Sequence, residues 1–294
     1  MKKVIRVGSR ESKLAVIQAR IVIDSVKRFH PDIEFELVTM KTTGDKILDR
    51  NLDQIGGKGL FVKELDKALY DNRVDVTVHS LKDLPMEDNK ELPLIGFTHR
   101  EDPRDAMIID PCDREFNTSG IIGSSSRRRI EQLKKIYPNA DFKSIRGNVQ
   151  TRLKKLKEEN YSATVLAMAG LERLGMSGIV YRIFETDEVI PAAGQGILAI
   201  QGRAGEDHSI FDCILSKKSQ YQALAERGFV RALDGGCSSP IAAYADVNDN
   251  ELLLRGLYYN SNRQDYIIGV KNGKVEDAEK IGIALAYELK QKFV

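Results

Sequence analysis

The sequence predicts an α/β protein: two α/β domains with a small α+β domain at the C-terminal end. Three observations predict it. Strand-like and helix-like segments alternate from Val4 to Val78. The alternation restarts after residue 99 and runs to Ala167. After Ser216 the pattern changes to helix, hairpin, strand and helix. Alternating strands and helices imply a mainly parallel sheet covered by helices. A chain of 294 residues, 42% of them hydrophobic, suffices for two or three packed cores.

Val4–Val7 reads as a strand. Ser12 is placed to cap a helix whose apolar residues Leu14, Ile17, Ile21, Val22, Val26 and Phe29 recur at helical spacing. Phe35–Val38 alternates as a strand, the stretch from Gly59 to Asn72 contains a helix, and Val74–Val78 is again a strand. In the second block the expected strands are Ala106–Ile109, Gly120–Gly123, Phe142–Ile145 and Ala163–Ala167. Helices are expected from Ser124 towards Ile136 and from Val149 to about Glu159. Loops at His99–Pro103 and Pro191–Gly196 bracket this block, as two crossings into and out of an inserted domain would. The expected bounds are 1–98 with 197–217 for the first domain and 99–196 for the inserted one, with a cleft between them. Residues 218–294 form the third. There a helix from Gln220 to about Leu233 precedes a hairpin, Ala242 to Tyr258, that turns at Asn248-Asp249-Asn250. A strand near Tyr266–Val270 and a helix from Val275 to Lys292 complete it.

Charge narrows the function. There are 45 Lys+Arg against 43 Asp+Glu, a net of +2. A nucleic-acid binder usually carries a clear positive excess. Here basic surface is local, which suits a small anionic ligand. Three cysteines, Cys112, Cys213 and Cys237, lack metal-like spacing and argue for a reducing compartment. Arg6 interrupts the apolar N-terminal run, so no signal peptide is expected. No metal is implied.

The arginines are informative by position. Gly123-Ser124-Ser125-Ser126-Arg127-Arg128-Arg129 joins a strand to a helix, where free N–H groups and the helix dipole favour an anion. Arginines in a first helical turn oppose that dipole, and a ligand carboxylate would offset the cost. An exposed basic helix fits the same residues equally well. Arg146-Gly147-Asn148, with Arg152 one turn later, and Gly8-Ser9-Arg10-Glu11-Ser12 repeat the arrangement. His79-Ser80-Leu81-Lys82-Asp83-Leu84-Pro85 follows a strand, where α/β ligands collect. Lys82 and Asp83 offer an anion contact and an acid–base group. The plainer reading is a solvated ion pair, and His79 reads as packed or hydrogen-bonded. Gly56-Gly57-Lys58-Gly59-Leu60-Phe61 is no P-loop and suits a mobile loop or a turn. Asp234-Gly235-Gly236-Cys237-Ser238-Ser239-Pro240 presents a thiol at a tight turn suited to covalent attachment. Alone, Cys237 fits a buried cysteine better.

Together these runs closely resemble the porphobilinogen deaminase (hydroxymethylbilane synthase) family. Arg100–Ala106, Leu171–Gly175 and Pro191–Gly196 extend the match over nearly the whole chain. The resemblance implies two domains like type II periplasmic binding proteins around a central cleft, plus a small α+β third domain. It implies a transferase that joins four porphobilinogen molecules head to tail with loss of ammonia, then releases the linear tetrapyrrole hydroxymethylbilane by hydrolysis. Asp83 matches the catalytic aspartate. Cys237 matches the cysteine that carries a dipyrromethane cofactor through a thioether. Lys82, Asp83, Ser125, Ser126, Arg128, Arg129 and Arg146 match cofactor contacts. Arg10, Ser12, Arg146, Arg152, Arg173 and Gln195 match substrate contacts. Gly56, Gly57, Lys58, Gly59 and Phe61 match a mobile loop. The resemblance further implies a cytoplasmic monomer without nucleic-acid or membrane partners. Arg127 departs from the family pattern, as do Gln54 and Asp234. Arg127 is expected to face solvent or to add an anion contact.

Overall fold

A computed structural model describes residues 4–46, 62–110, 113, 115–235 and 239–293. The expected mobile loop at Gly56–Phe61, Gln54, Cys112 and Cys237 lie outside the described residues. The chain divides into two compact units, Met1–Glu101 with Ile197–Tyr221, and Asp102–Gly196 with Gln222–Val294.

Among its described residues, unit 1 holds a five-stranded sheet in the order β2-β1-β3-β10-β4. Its strands are β1 (Val4–Arg10), β2 (Glu34–Met40), β3 (Val76–Ser80), β4 (Leu94–Phe97) and β10 (Leu198–Gly202). β1 is parallel to β2 and β3, whereas β10 runs antiparallel between β3 and β4. Helix α1 (Lys13–Phe29) begins as expected: the Ser12 hydroxyl accepts from the Ala15 N–H. Its buried face is Gln18, Ala19, Val22, Ile23 and Val26, packed over Ile5, Val7, Val78 and Ile200. Ile21 and Phe29, expected on that face, are instead exposed, because the inward stripe is turned towards the smaller Ala19. After a single helical turn at Thr43–Lys46, helix α2 (Lys63–Tyr70) buries Leu65, Ala68 and Leu69.

Unit 2 repeats the plan in the order β7-β6-β8-β5-β9. These are β5 (Asp105–Ile108), β6 (Ile121–Gly123), β7 (Asp141–Lys143), β8 (Ala163–Ala167) and β9 (Arg182–Phe184). β6 is parallel to β7 and β8, and β5 lies antiparallel between β8 and β9. In both sheets one strand distant in sequence enters between the third strand and an edge strand. That shared order is the type II periplasmic-binding-protein-like arrangement. The expectation of a mainly parallel sheet therefore needs correction, since half the pairings in each sheet are antiparallel. β4, β9 and β10 were not among the strands expected from the sequence.

The C-terminal part of unit 2 is an antiparallel sheet of β11 (Ala242–Asn248), β12 (Glu251–Asn260) and β13 (Asp265–Lys274). Asp249 turns the first hairpin with φ at 50°. Helices α6 (Lys217–Ala232) and α7 (Ala278–Lys292) accompany it. They meet at Gly282, where a Cβ would lie 2.1 Å from the Ala225 carbonyl oxygen. Glu226, with 0% exposure, ties the layers of unit 2 together. One of its oxygens accepts from the Gly194 N–H and the other from the Ala245 N–H, both at 2.7 Å. Glu226→Ala removes the acceptor from both buried donors. Chemical denaturation is expected to show a loss on the order of 3 kcal/mol, with Glu226→Gln milder.

Candidate active site

In unit 1 the chemistry sits where parallel strands end. Register pairs Gly8 with Thr77, so Arg10 at the end of β1 comes level with His79 on β3. β3 then enters a 3-10 turn, Leu81–Asp83. Leu81 and Leu84 are buried and Leu81 N–H donates to the Ile197 carbonyl at 3.0 Å, so apolar anchors hold the turn on both sides. Lys82 is half-buried between them and Asp83 is exposed. A cavity of about 30 Å³ opens here, lined by Arg10, Gln18, His79, Ser80 and Asp83. The Gln18 amide donates to the Ser80 hydroxyl at 2.9 Å.

His79 is buried and hydrogen-bonded, as its sequence context suggested. Its Nε2 lies 2.8 Å from the Thr77 hydroxyl. That hydroxyl donates to Gln201 Oε1 at 3.3 Å, and the Gln201 amide nitrogen donates to the Leu92 carbonyl. Thr77 therefore spends its proton on Gln201, and His79 Nε2 carries the hydrogen between them. Burial is the largest effect and lowers the His79 pKa to about 4; Gln201 opposes it in part, and the nearby Arg10 charge adds a smaller lowering. The ring is uncharged at neutral pH.

Unit 2 builds a second cluster. Helix α3 (Arg127–Ile136) starts at Ser126, and the Ser126 N–H donates to the Ser124 hydroxyl. It buries Arg128, Arg129, Gln132 and Leu133. The dipole cost of these arginines is met inside the protein. Asp105, with 0% exposure, lies 2.8 Å from Arg128 Nη1 and accepts from Arg129 Nη2 at 2.6 Å. Arg128 also donates to the Ile190 carbonyl and Arg129 to the Val165 carbonyl. Desolvation would raise the Asp105 pKa, but the two guanidinium charges overcome it and hold the carboxyl well below its ordinary range. Gln195 is buried too, its amide nitrogen donating to Pro103 O at 2.6 Å and Asp105 Oδ1 at 2.9 Å. The expected role of these three side chains was ligand contact; the structure engages each of them internally.

The other expected contacts lie nearer the surface. The Ser125 hydroxyl is exposed, donates to Ile145 O at 2.7 Å and lies 2.8 Å from the Ser144 hydroxyl. Arg146 is half-exposed, and Gly147 follows it with φ at 119°. Asn148 then caps helix α4 (Val149–Glu158), which carries Arg152. Arg152 Nε donates to Gly147 O, and Arg173, at the end of helix α5 (Met168–Arg173), donates from Nη2 to Gly196 O. Ser12 is the α1 cap. Arg127 is exposed, with its guanidinium 5.9 Å from the Tyr259 ring centre. Asp105, Gln132 and Glu226 went unread as contributors. The signal was a charged residue opening the apolar strand Asp105-Ala106-Met107-Ile108, which demands a partner.

Arginines and hydroxyls stand at strand ends in each unit, the place where α/β enzymes take anionic ligands. Residues 5–211 match the family model "Porphobilinogen deaminase, dipyromethane cofactor binding domain", and residues 220–291 match its C-terminal domain. The chain belongs to the porphobilinogen deaminase family, whose members are transferases of tetrapyrrole synthesis. The porphobilinogen deaminase of Ruminiclostridium cellulolyticum is 53% identical over 99% of this chain and 98% of the relative. That of Acetivibrio thermocellus is 53% identical over 97% of each, and that of a Nostoc species 41% identical over 99% and 92%. The solved periplasmic aliphatic sulphonate binding protein from Escherichia coli overlaps 99% of this chain and 89% of its own, at 10% identity and a TM-score of 0.42. The fold class rests on the sheet order instead.

The buried ion pairs predict a pH dependence. Asp105→Asn is expected to cost about 3–5 kcal/mol at pH 7, because it leaves two buried guanidinium groups without their carboxylate. The native carboxyl titrates below the unfolded value of 3.8. The wild-type advantage is therefore full above about pH 5 and shrinks as pH falls through 4 and below. Urea unfolding of both proteins across pH 3–7 measures it.

Proposed function

We propose that Asp83 is the catalytic residue of this enzyme and that Cys237 is the attachment point of its dipyrromethane. The observation that carries the reading is the Asp83 turn: an exposed carboxylate at the end of β3, pinned by buried Leu81 and Leu84. It lies in a chain whose residues 5–211 match the cofactor-binding domain. Loss of ammonia from porphobilinogen leaves a cationic azafulvenium. A preorganised carboxylate stabilises that charge and accepts protons shed as rings join.

The donor set of unit 2 suits a group bearing several carboxylates: the exposed Ser125 hydroxyl, Ser126 and the half-exposed Arg146. These residues would hold the dipyrromethane, and Lys82 is assigned to an anion contact at the end of β3. When bound, the group supplies the pyrrole carbon to which the first substrate is joined. Arg10, Ser12, Arg152 and Arg173 are assigned to the acetate and propionate groups of substrate rings. Arg128, Arg129 and Gln195 act through position, keeping the start of α3 and the 191–196 loop in place. We assign the three domains the bounds 1–98 with 197–217, 99–196 and 218–294, which the two family models support by meeting between residues 211 and 220. The enzyme acts as a cytoplasmic monomer on a small molecule, apart from nucleic acid and membrane. The near-balanced charge, a net of +2, supports the reading without nucleic acid.

The purified protein is expected to weigh more than its sequence by one dipyrromethane, on a peptide containing Cys237, with Cys237→Ser unmodified and inactive. A fully active protein of unmodified mass would refute the assignment. Asp83→Ala is expected to lower turnover by roughly 10²–10⁴-fold or more with the melting temperature unchanged. Turnover within about 10-fold of wild type would remove Asp83 from the role.

A further inference from the structure

Helix α3 and the C-terminal sheet belong to the same compact unit and meet through side chains. Tyr259 on β12 and Tyr266 on β13 stand directly opposite each other, so they share one face of that sheet. Each ring meets a cation from α3. The Arg127 guanidinium is 5.9 Å from the Tyr259 ring centre, and Lys135 Nζ is 3.8 Å from that of Tyr266. A cation over an aromatic face is attracted by the ring quadrupole. Lys135 also pairs with Asp265 at 2.9 Å. Arg127 opens the helix and Lys135 stands one residue from its end, about 12 Å further along the axis at ~1.5 Å per residue. Ile190 supplies a third tie. Its carbonyl accepts from Arg128 Nη1 and Gln132 Nε2, and its N–H donates to Gln132 Oε1. Its side chain lies in one apolar cluster with Ala242, Leu257 and Tyr259. Directly or through Ile190, α3 is tied to β11, β12 and β13.

We propose that Arg127 and Lys135 are positioning residues for the condensation: by seating α3 on Tyr259 and Tyr266, they keep the carboxylate-binding residues at its start in register with the segment that bears the cofactor thiol. The proposal rests on the assignment of Cys237 as the attachment point and of Ser125 and Ser126 as dipyrromethane contacts. Ser126 immediately precedes α3, and Cys237 lies on the segment that leads into β11 at Ala242. The tether and the first carboxylate contacts therefore share one frame while rings are added. Rate is sensitive to such a frame, since a misplacement of about 1 Å costs up to roughly 10²-fold. Stability is less sensitive. Lys135 and Asp265 are exposed, and an exposed ion pair contributes little to it. The signature of the seat is expected in turnover rather than in melting.

The test removes both charges and keeps side-chain length, in Arg127→Gln with Lys135→Gln. Backbone hydrogen exchange reads the seat without reference to activity. Amides of α3 and of the β12–β13 hairpin are expected to exchange several-fold faster in this variant than in wild type. Its kcat is expected to fall roughly 10-fold with the porphobilinogen KM within about 2-fold of wild type, because the substrate contacts are untouched. Arg127→Lys with Lys135→Arg keeps a cation over each ring. That pair is expected to return kcat to within about 2-fold of wild type and to restore slow exchange. Faster exchange with a kcat within about 2-fold of wild type would overturn the positioning role. So would a loss of kcat that the cation-retaining pair does not recover. Unchanged exchange in the charge-free variant would remove the seat itself. Wild-type protein with no dipyrromethane on a Cys237 peptide, beside the expected change in exchange, would overturn the Cys237 assignment instead.

Discussion

A carboxylate without access to water holds two arginines in unit 2, and much of that unit follows from it. Asp105 opens β5, and Arg128 and Arg129 open α3. A buried ion is costly unless paired and hydrogen-bonded, so the three must meet. Their meeting fixes the start of α3 against the sheet. Gln195 joins the same carboxylate, and Gln132 exchanges hydrogen bonds with Ile190, which brings in the returning loop. Glu226 then fastens that loop and β11 to α6. The exposed Ser125 and Arg146 stand on a frame that polar, not only apolar, contacts define.

Unit 1 reaches a comparable rigidity by different means. Its turn at Leu81–Asp83 is held by apolar anchors and by backbone pairing to the residue before β10. Preorganisation has chemical value because a group that needs no rearrangement stabilises charge as it develops. The polar row Thr77–His79–Gln201 lies under this turn and is internally satisfied. Its neutrality leaves Asp83 and Arg10 as charged lining of the cavity.

Much of the fold was legible in the residues. Ser12 before a helical stripe, Asn248-Asp249-Asn250 between strands, and the restart after residue 99 each carry a local physical signal. The α1 face was misread because Ile21 and Phe29 are apolar yet turn outward, while Gln18 turns inward to bond Ser80. Hydropathy does not distinguish a polar residue with a buried partner from one in water. The arginines show the same limit. Their number and spacing pointed to anions, but nothing local reveals that Asp105, more than twenty positions earlier, is the carboxylate that Arg128 and Arg129 meet.

By itself the sequence determined where the chemistry-bearing residues stand: arginines and hydroxyls after strands, Asp83 at a strand end, and Cys237 after Gly235-Gly236, in the order of a known family. These follow from residue type and immediate neighbours, which chain order preserves. Only the tertiary structure decided which cations are spent inside the protein, which side of a helix is buried, and that a strand from far along the chain enters each sheet antiparallel. Those outcomes depend on pairing energies between residues distant in sequence, and such energies exist only once the chain has brought the partners together.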